Sequence, residues 1–387
     1  YLVAYNDGAS SRQEVARFVA AASGPALLAP ALLTGGASPG DTWGVASSGS
    51  PVALATGKRF TLVWTEPATA TGSRLHATVV DASGAVTSNR WPLTTRETRT
   101  RPGAVATGTS FALAWKDPND DVWFDRYDAN GSSLLGEVLV APMQYGRPAV
   151  GVAFSGEAYG VAWIPGANLC FQRVSPSGAL LGARTSLALP STPTTTPLQI
   201  AWTGTGWAVV YTRGTRLEYV LLDRSGSVSV GPVAISATSN AKGALSAAWS
   251  GSRLAVAWVE STGSPSLLND VLFTVVAPNG VPDFAPVAAV SSAWNDGNPS
   301  LYWAGDRFGL VHSFGEYPVL REVGLFPNGS FASSPRLLNP RGGANAAAWN
   351  GATLGVVWPQ QADLYFETTE CLADTPPPSC PSVSAVR

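Results

Sequence analysis

Gly108-Thr109-Ser110-Phe111-Ala112-Leu113-Ala114-Trp115 sets a turn residue ahead of a segment in which large and small side chains alternate. Period two marks a strand with two unlike faces, here Phe, Leu and Trp on one and Ala on the other. The same spelling returns as Gly57/Phe60/Trp64, Gly156/Tyr159/Trp163, Gly204/Trp207/Tyr211, Gly251/Leu254/Trp258, Gly305/Phe308/His312 and Gly351/Leu354/Trp358. Tyr1/Tyr5 keeps the register without a glycine of its own, and the last position recurs every 46 to 59 residues. A chain of 387 residues would otherwise suggest two or three domains. A repeat of this period describes copies of one small unit instead.

Each unit reads as four short strands. The first, such as Leu198-Gln-Ile-Ala-Trp202, ends at the glycine that turns the chain into the second. A third, such as Asp121-Val-Trp-Phe-Asp-Arg-Tyr127, closes on Ser-Gly or Asn-Gly, as at Ser83-Gly84, Asn130-Gly131 and Asn279-Gly280, residues that tolerate the positive φ of a tight hairpin. Both faces of the unit are apolar, so the bulky face of one sheet is expected to fill the hollow on the small-residue face of the next. Four-stranded antiparallel units repeated in this way predict an all-β propeller forming a single domain over 1–387. Approximate units run 1–50, 51–101, 102–147, 148–196, 197–243, 244–297, 298–343 and 344–387. Counting second strands predicts eight blades, with seven as the alternative; the first unit lacks an inner strand, which 382–387 or residues upstream of Tyr1 would supply.

Composition agrees with a body buried on both faces of its sheets. Only 13% of residues are charged against 45% hydrophobic, with 40 Gly and 14 Trp. The formal net charge of −2 offers no basic field, so a nucleic-acid partner is not expected. No run of 18 apolar residues occurs, so no membrane insertion is expected within the chain, and Tyr1 opens on strand-like sequence as if any signal peptide were already absent. Cys371 and Cys380 bracket a Pro-rich loop and read as a disulfide stapling the hairpin of the last unit, with Cys170 as a buried small hydrophobe; three free thiols are the alternative. The disulfide reading implies an oxidising setting: secreted, periplasmic or at the cell surface.

With these residues in view, the Trp-ended strand pairs, the Gly-x-x-aromatic turn and the Ser/Asn-Gly hairpin resemble the Trp-rich repeat propellers of large secreted or cell-surface bacterial proteins. The resemblance spans nearly the whole chain. It implies the fold and an extracellular setting, and it brings no site with it. Sialidase-type propellers fit less well, because Ser38-Pro-Gly-Asp-Thr-Trp43 only approximates their repeated turn.

Function is expected on one face. The turns between strands one and two, and between three and four, are short and constant. The connections between strands two and three and between blades vary, as at 33–50, 66–73, 260–269 and 291–299. Trp43 beside Asp41, and Trp294 beside Asn295 and Asp296, stand out of repeat register and suit stacking on a sugar or anchoring a peptide; a lid folded over a blade edge is the plainer alternative. Acidic residues follow the second-strand aromatic by two positions at Asp7, Glu66, Asp117 and Glu260. In one unit the loop Asp117-Pro-Asn119-Asp-Asp121 could gather oxygen ligands for calcium, a weak signal because it lacks the spacing and glycine of an EF-hand, and a solvated acidic loop is the plainer reading. Of the two histidines, His312 occupies the buried Trp register, and no nucleophile elbow or phosphate-cradling loop occurs. No catalytic residue is therefore assigned. The expectation is a non-enzymatic module docking a protein partner or glycan; the alternative is a polysaccharide hydrolase or lyase using loop carboxylates such as Asp117, Asp121 and Asp296.

Overall fold

A computed structural model describes residues 2–6, 13–21, 24–28, 31–32, 51–67, 72–90, 92–98, 101–145, 149–189, 197–263, 268–291, 296–314, 319–339, 345–360 and 363–369. Every described element is a strand, and among the described residues no helix is long and apolar enough to cross a membrane. Six sheets of four antiparallel strands follow in chain order at 52–90, 103–141, 150–188, 198–236, 242–290 and 297–339. The seventh takes three strands, Ala346–Trp349, Leu354–Gln360 and Asp363–Thr369, and completes itself with Ala31–Leu32, which pairs antiparallel with Tyr365 and Phe366. We number these blades one to seven in that order.

The ring therefore has seven blades, and the expectation of eight is corrected. Leu2–Asn6, Gln13–Ala21 and Gly24–Leu28 carry the repeat spelling but pair only with one another, as a separate three-stranded sheet. The inner strand Val52–Thr56 of blade one packs directly against the inner strand Ala346–Trp349 of blade seven, leaving no place between them for another blade. Among the described residues, closure is supplied by the last strand of the first unit. The pairing of Ala31–Leu32 was not expected; residues 382–387, one of the two expected sources of the missing strand, lie outside the described residues.

The interleaving expected from the alternation is what holds the ring together. Each of the seven apolar clusters among the described residues spans two neighbouring blades, and together they link every adjacent pair including seven to one. In blade three a Cβ added at Gly160 would stand 2.6 Å from Trp207 Cε3 of blade four, closer than real atoms pack. The missing side chain is the hollow that receives the indole. Trp64, Trp115, Trp163, Trp207, Trp258 and Trp358 are all fully buried, and Cys170 sits as a free thiol in the cluster between blades two and three, where burial pushes its pKa up. Cys371 and Cys380 lie outside the described residues.

Candidate functional site

Each inner strand enters the ring from an inter-blade connection and leaves it at a glycine turn, so all seven entrances gather on the face that carries the variable loops. A cavity of about 340 Å³ opens among them, with lining residues from all seven blades. Its walls are mainly small and apolar, because the inner strands must crowd together: a Cβ at Gly103 would stand 2.5 Å from the Val150 carbonyl oxygen of the next blade.

The polar side chains of the wall tie neighbouring blades together. Arg101 Nη2 donates to the Pro51 carbonyl at 2.9 Å, and Asn345 Nδ2 donates to the Asn298 carbonyl at 2.9 Å. Gln199 Nε2 reaches the Leu245 carbonyl at 3.4 Å. Arg101 is the one charged residue among the described residues of the lining. The residue keeps solvent-exposed surface yet is surrounded by protein, and this desolvation pushes its pKa down to about 10, so it stays cationic at neutral pH.

On the same face a clasp stiffens the loops of blade two. Asp117 Oδ1 accepts from the backbone N–H groups of Asn119 and Asp121 at 2.8 and 2.9 Å, and Oδ2 accepts from the Trp123 indole at 3.1 Å. Asp121 Oδ1 then accepts from the Met143 N–H at 2.7 Å, and the Gln144 N–H donates to the Asp120 carbonyl at 2.7 Å. The loop between strands two and three is thus buckled to the connection that leads into blade three. Asp120 and Met143 both hold positive φ, 68° and 48°, the backbone strain of a bend fixed from both sides. Buried Lys116 anchors the same loop through an ion pair to Asp120 at 2.7 Å. Beyond the buckle, Met143 and Tyr145 stand 62% and 69% exposed on the loop face.

Several sequence candidates turn out to serve the scaffold. The Asp117 oxygens are engaged by the loop's own N–H groups and an indole, Asn119 contributes its backbone to that turn, and among the described residues no group of three or more His, Cys, Asp or Glu is placed to hold a metal ion. Glu66 and Glu260 accept from the indoles of Trp64 and Trp258, each at 2.9 Å. In blade three, where Pro165 stands two residues after Trp163, Gln144 reaches across to accept that indole at 3.1 Å. Asp296 is buried beside the start of the inner strand of blade six, its N–H donating to the Asn269 carbonyl at 3.0 Å. Blades one and seven lie between it and the Asp117 loop in the order of the ring, and within that loop Asp117 and Asp121 are each engaged by backbone N–H groups of the clasp. Asp41, Trp43, Trp294 and Asn295 lie outside the described residues.

Arg101, Gln199, Asn298, Asn345 and Tyr145 escaped the sequence reading. A signal for the first was present: an X-Pro pair opens the inner strand at Ser50-Pro51, Arg101-Pro102, Arg147-Pro148, Thr196-Pro197 and Asn298-Pro299. That column, and not the acidic loops, faces the cavity in blade two.

No family model matches the chain, and no curated protein matches it by sequence. Among solved structures the fold is similar to BP39L lectin from Burkholderia pseudomallei, with a TM-score of 0.62 at 13% identity over 86% of this chain and 98% of that one. It is similar also to the β-propeller domain of the Trilobed protease from Pyrococcus furiosus, with a TM-score of 0.50 at 10% identity over 83% of this chain and 95% of that one. A mutant of AofleA from Arthrobotrys oligospora gives a TM-score of 0.50 at 12% identity over 77% of this chain and 88% of that one. Geometry and likeness agree on the class, a β-propeller of four-stranded blades. The Trp-rich repeat resemblance reaches no further than this fold.

Proposed function

We propose that the chain is a non-enzymatic binding module that docks a glycan or a protein partner on its loop face, in an extracellular setting. The observation that carries this reading is the concentration of variable connections, exposed Tyr145 and Met143, and the cavity mouth on one face of a ring whose blades are locked by shared cores. A rigid frame loses little conformational freedom when a ligand binds. Lectin use of a similar ring, in BP39L, supports a glycan as one ligand class. The paired cysteines of the sequence reading support the extracellular setting.

A glycan array and a pull-down with the immobilised chain test the proposal, using wild type, Tyr145→Ala, and Trp43→Ala with Trp294→Ala. Retention of a glycan or partner, weakened at least tenfold by one of these changes, is the expected result. Empty arrays and pull-downs, or binding indifferent to every loop-face change, overturn it.

A further inference from the structure

The cavity has a chemical bias beyond its position. Among the described residues its lining carries one cation and no anion, and no carboxylate there pairs with Arg101. One of the five guanidinium N–H groups is used on the Pro51 carbonyl. The remaining donors form a planar fork in a partly desolvated space, where a hydrogen bond to an anion is stronger than in water. The planar fork matches the two oxygens of a carboxylate, which it can hold with two parallel N–H donors.

The rest of the wall narrows the choice. Val52, Val152, Leu198 and Ile200 give apolar surface, while Gln199 and Asn298 donate through their amide nitrogens and so turn amide oxygens to act as acceptors for hydroxyls. A space of about 340 Å³ lies at the small end of ligand pockets and suits one compact ring. We propose that the central cavity binds a sugar acid, its carboxylate held by the Arg101 guanidinium and its ring seated against the inner-strand walls. This rests on the reading of the loop face as a binding face, and it names the ligand class for the cavity in that face.

Isothermal titration with D-glucuronate, D-glucose and N-acetylglycine, on wild type and Arg101→Gln, tests it. Glucuronate is expected to bind at least tenfold more tightly than glucose, which lacks the carboxylate, and than N-acetylglycine, which has a carboxylate without the ring. Arg101→Gln should lose at least tenfold for glucuronate while glucose is unchanged. Arg101→Lys, which keeps the charge without the fork, should fall between; should the glutamine variant melt early, added chloride must weaken glucuronate and not glucose on wild type. Equal affinity for the two sugars, an unchanged Arg101→Gln, or preference for N-acetylglycine overturns the proposal. A positive glycan array or pull-down with no uronate binding sinks the cavity site alone and leaves the binding-module reading standing.

Discussion

The Trp258 indole donates its N–H to Glu260 Oε2 over 2.9 Å, two residues further along the same strand. The Lys242 ammonium, on a fully buried side chain, lies 2.9 Å from the same oxygen, and Asn240 Nδ2 donates to Oε1 at 3.1 Å. The carboxylate thus satisfies an indole, an ammonium and an amide at once at the edge of blade five. Removing it strands a buried charge, so Glu260→Ala should cost about 3–5 kcal/mol, whereas Glu260→Leu with Lys242→Met should cost much less than that single change. Urea denaturation of the two variants at pH 7 checks this; equal losses would show that the network is not acting as a unit.

This pair explains both the reach and the limit of the sequence. The unit was legible because glycine turns and period-two alternation are local demands: Phe111, Leu113 and Trp115 had to share a face, and they do. The blade number was not, because Tyr1/Tyr5 obeys the same local rule while its sheet joins no other. Closure depends on Ala31–Leu32 pairing with Tyr365 and Phe366, a match hundreds of residues apart that no short-range pattern encodes. The acidic column was seen but its bond to the indole was not, since a carboxylate beside a Trp has the same spelling whether it meets a ligand or the indole itself.

His312 carries a pH dependence of known sign. Burial, with a smaller push from Arg321, lowers its pKa from 6.5 to about 4, against a raising contribution from the Ser313 carbonyl bonded to Nδ1. A folded value below the unfolded one means the unfolded chain takes up the proton first, so stability is complete above about pH 6.5 and drains as pH falls toward 4. At pH 5 the loss from this group should be about 2 kcal/mol relative to pH 7. His312→Phe should remove that slope; an unchanged slope in paired urea titrations would assign it elsewhere.

Below that window a second loss begins. Desolvation alone would raise Glu260, but hydrogen bonds from Thr238, Trp258 and Lys242 outweigh it and hold the carboxyl below its ordinary range. Glu218 behaves alike through Arg213, Tyr211 and Arg216. These contributions are present above the unfolded carboxyl value, about 4.3, and are lost as pH falls through the depressed folded values. Melting temperature between pH 4.5 and 2.5 should therefore fall less steeply in Glu260→Gln than in wild type.

The seam between blades seven and one is set by one absent side chain. A Cβ at Gly355 would stand 2.7 Å from Phe60 Cδ1 and 2.9 Å from Phe366 Cε2. Gly355→Ala should cost roughly 1–3 kcal/mol through overpacking. Adding Phe60→Leu should recover part of it, so the double variant falls short of the sum of the singles. Strict additivity would mean that the two positions do not share the contact.

Closure itself is separable from the sheet that precedes it. Leu2–Asn6, Gln13–Ala21 and Gly24–Leu28 share no ladder with the ring, whereas Ala31–Leu32 covers the outer edge of blade seven. Deleting 1–28 should leave a cooperative melt within a few degrees of wild type. Deleting 1–33 removes the pairing to Tyr365 and Phe366 as well, a loss of order 1–2 kcal/mol from a pair of backbone hydrogen bonds, and bares the strand Asp363–Thr369 to edge-to-edge association. The longer deletion should melt lower and show concentration-dependent association by light scattering. An eight-bladed ring would fail in the opposite order, since the shorter deletion would already remove most of a blade from between its neighbours.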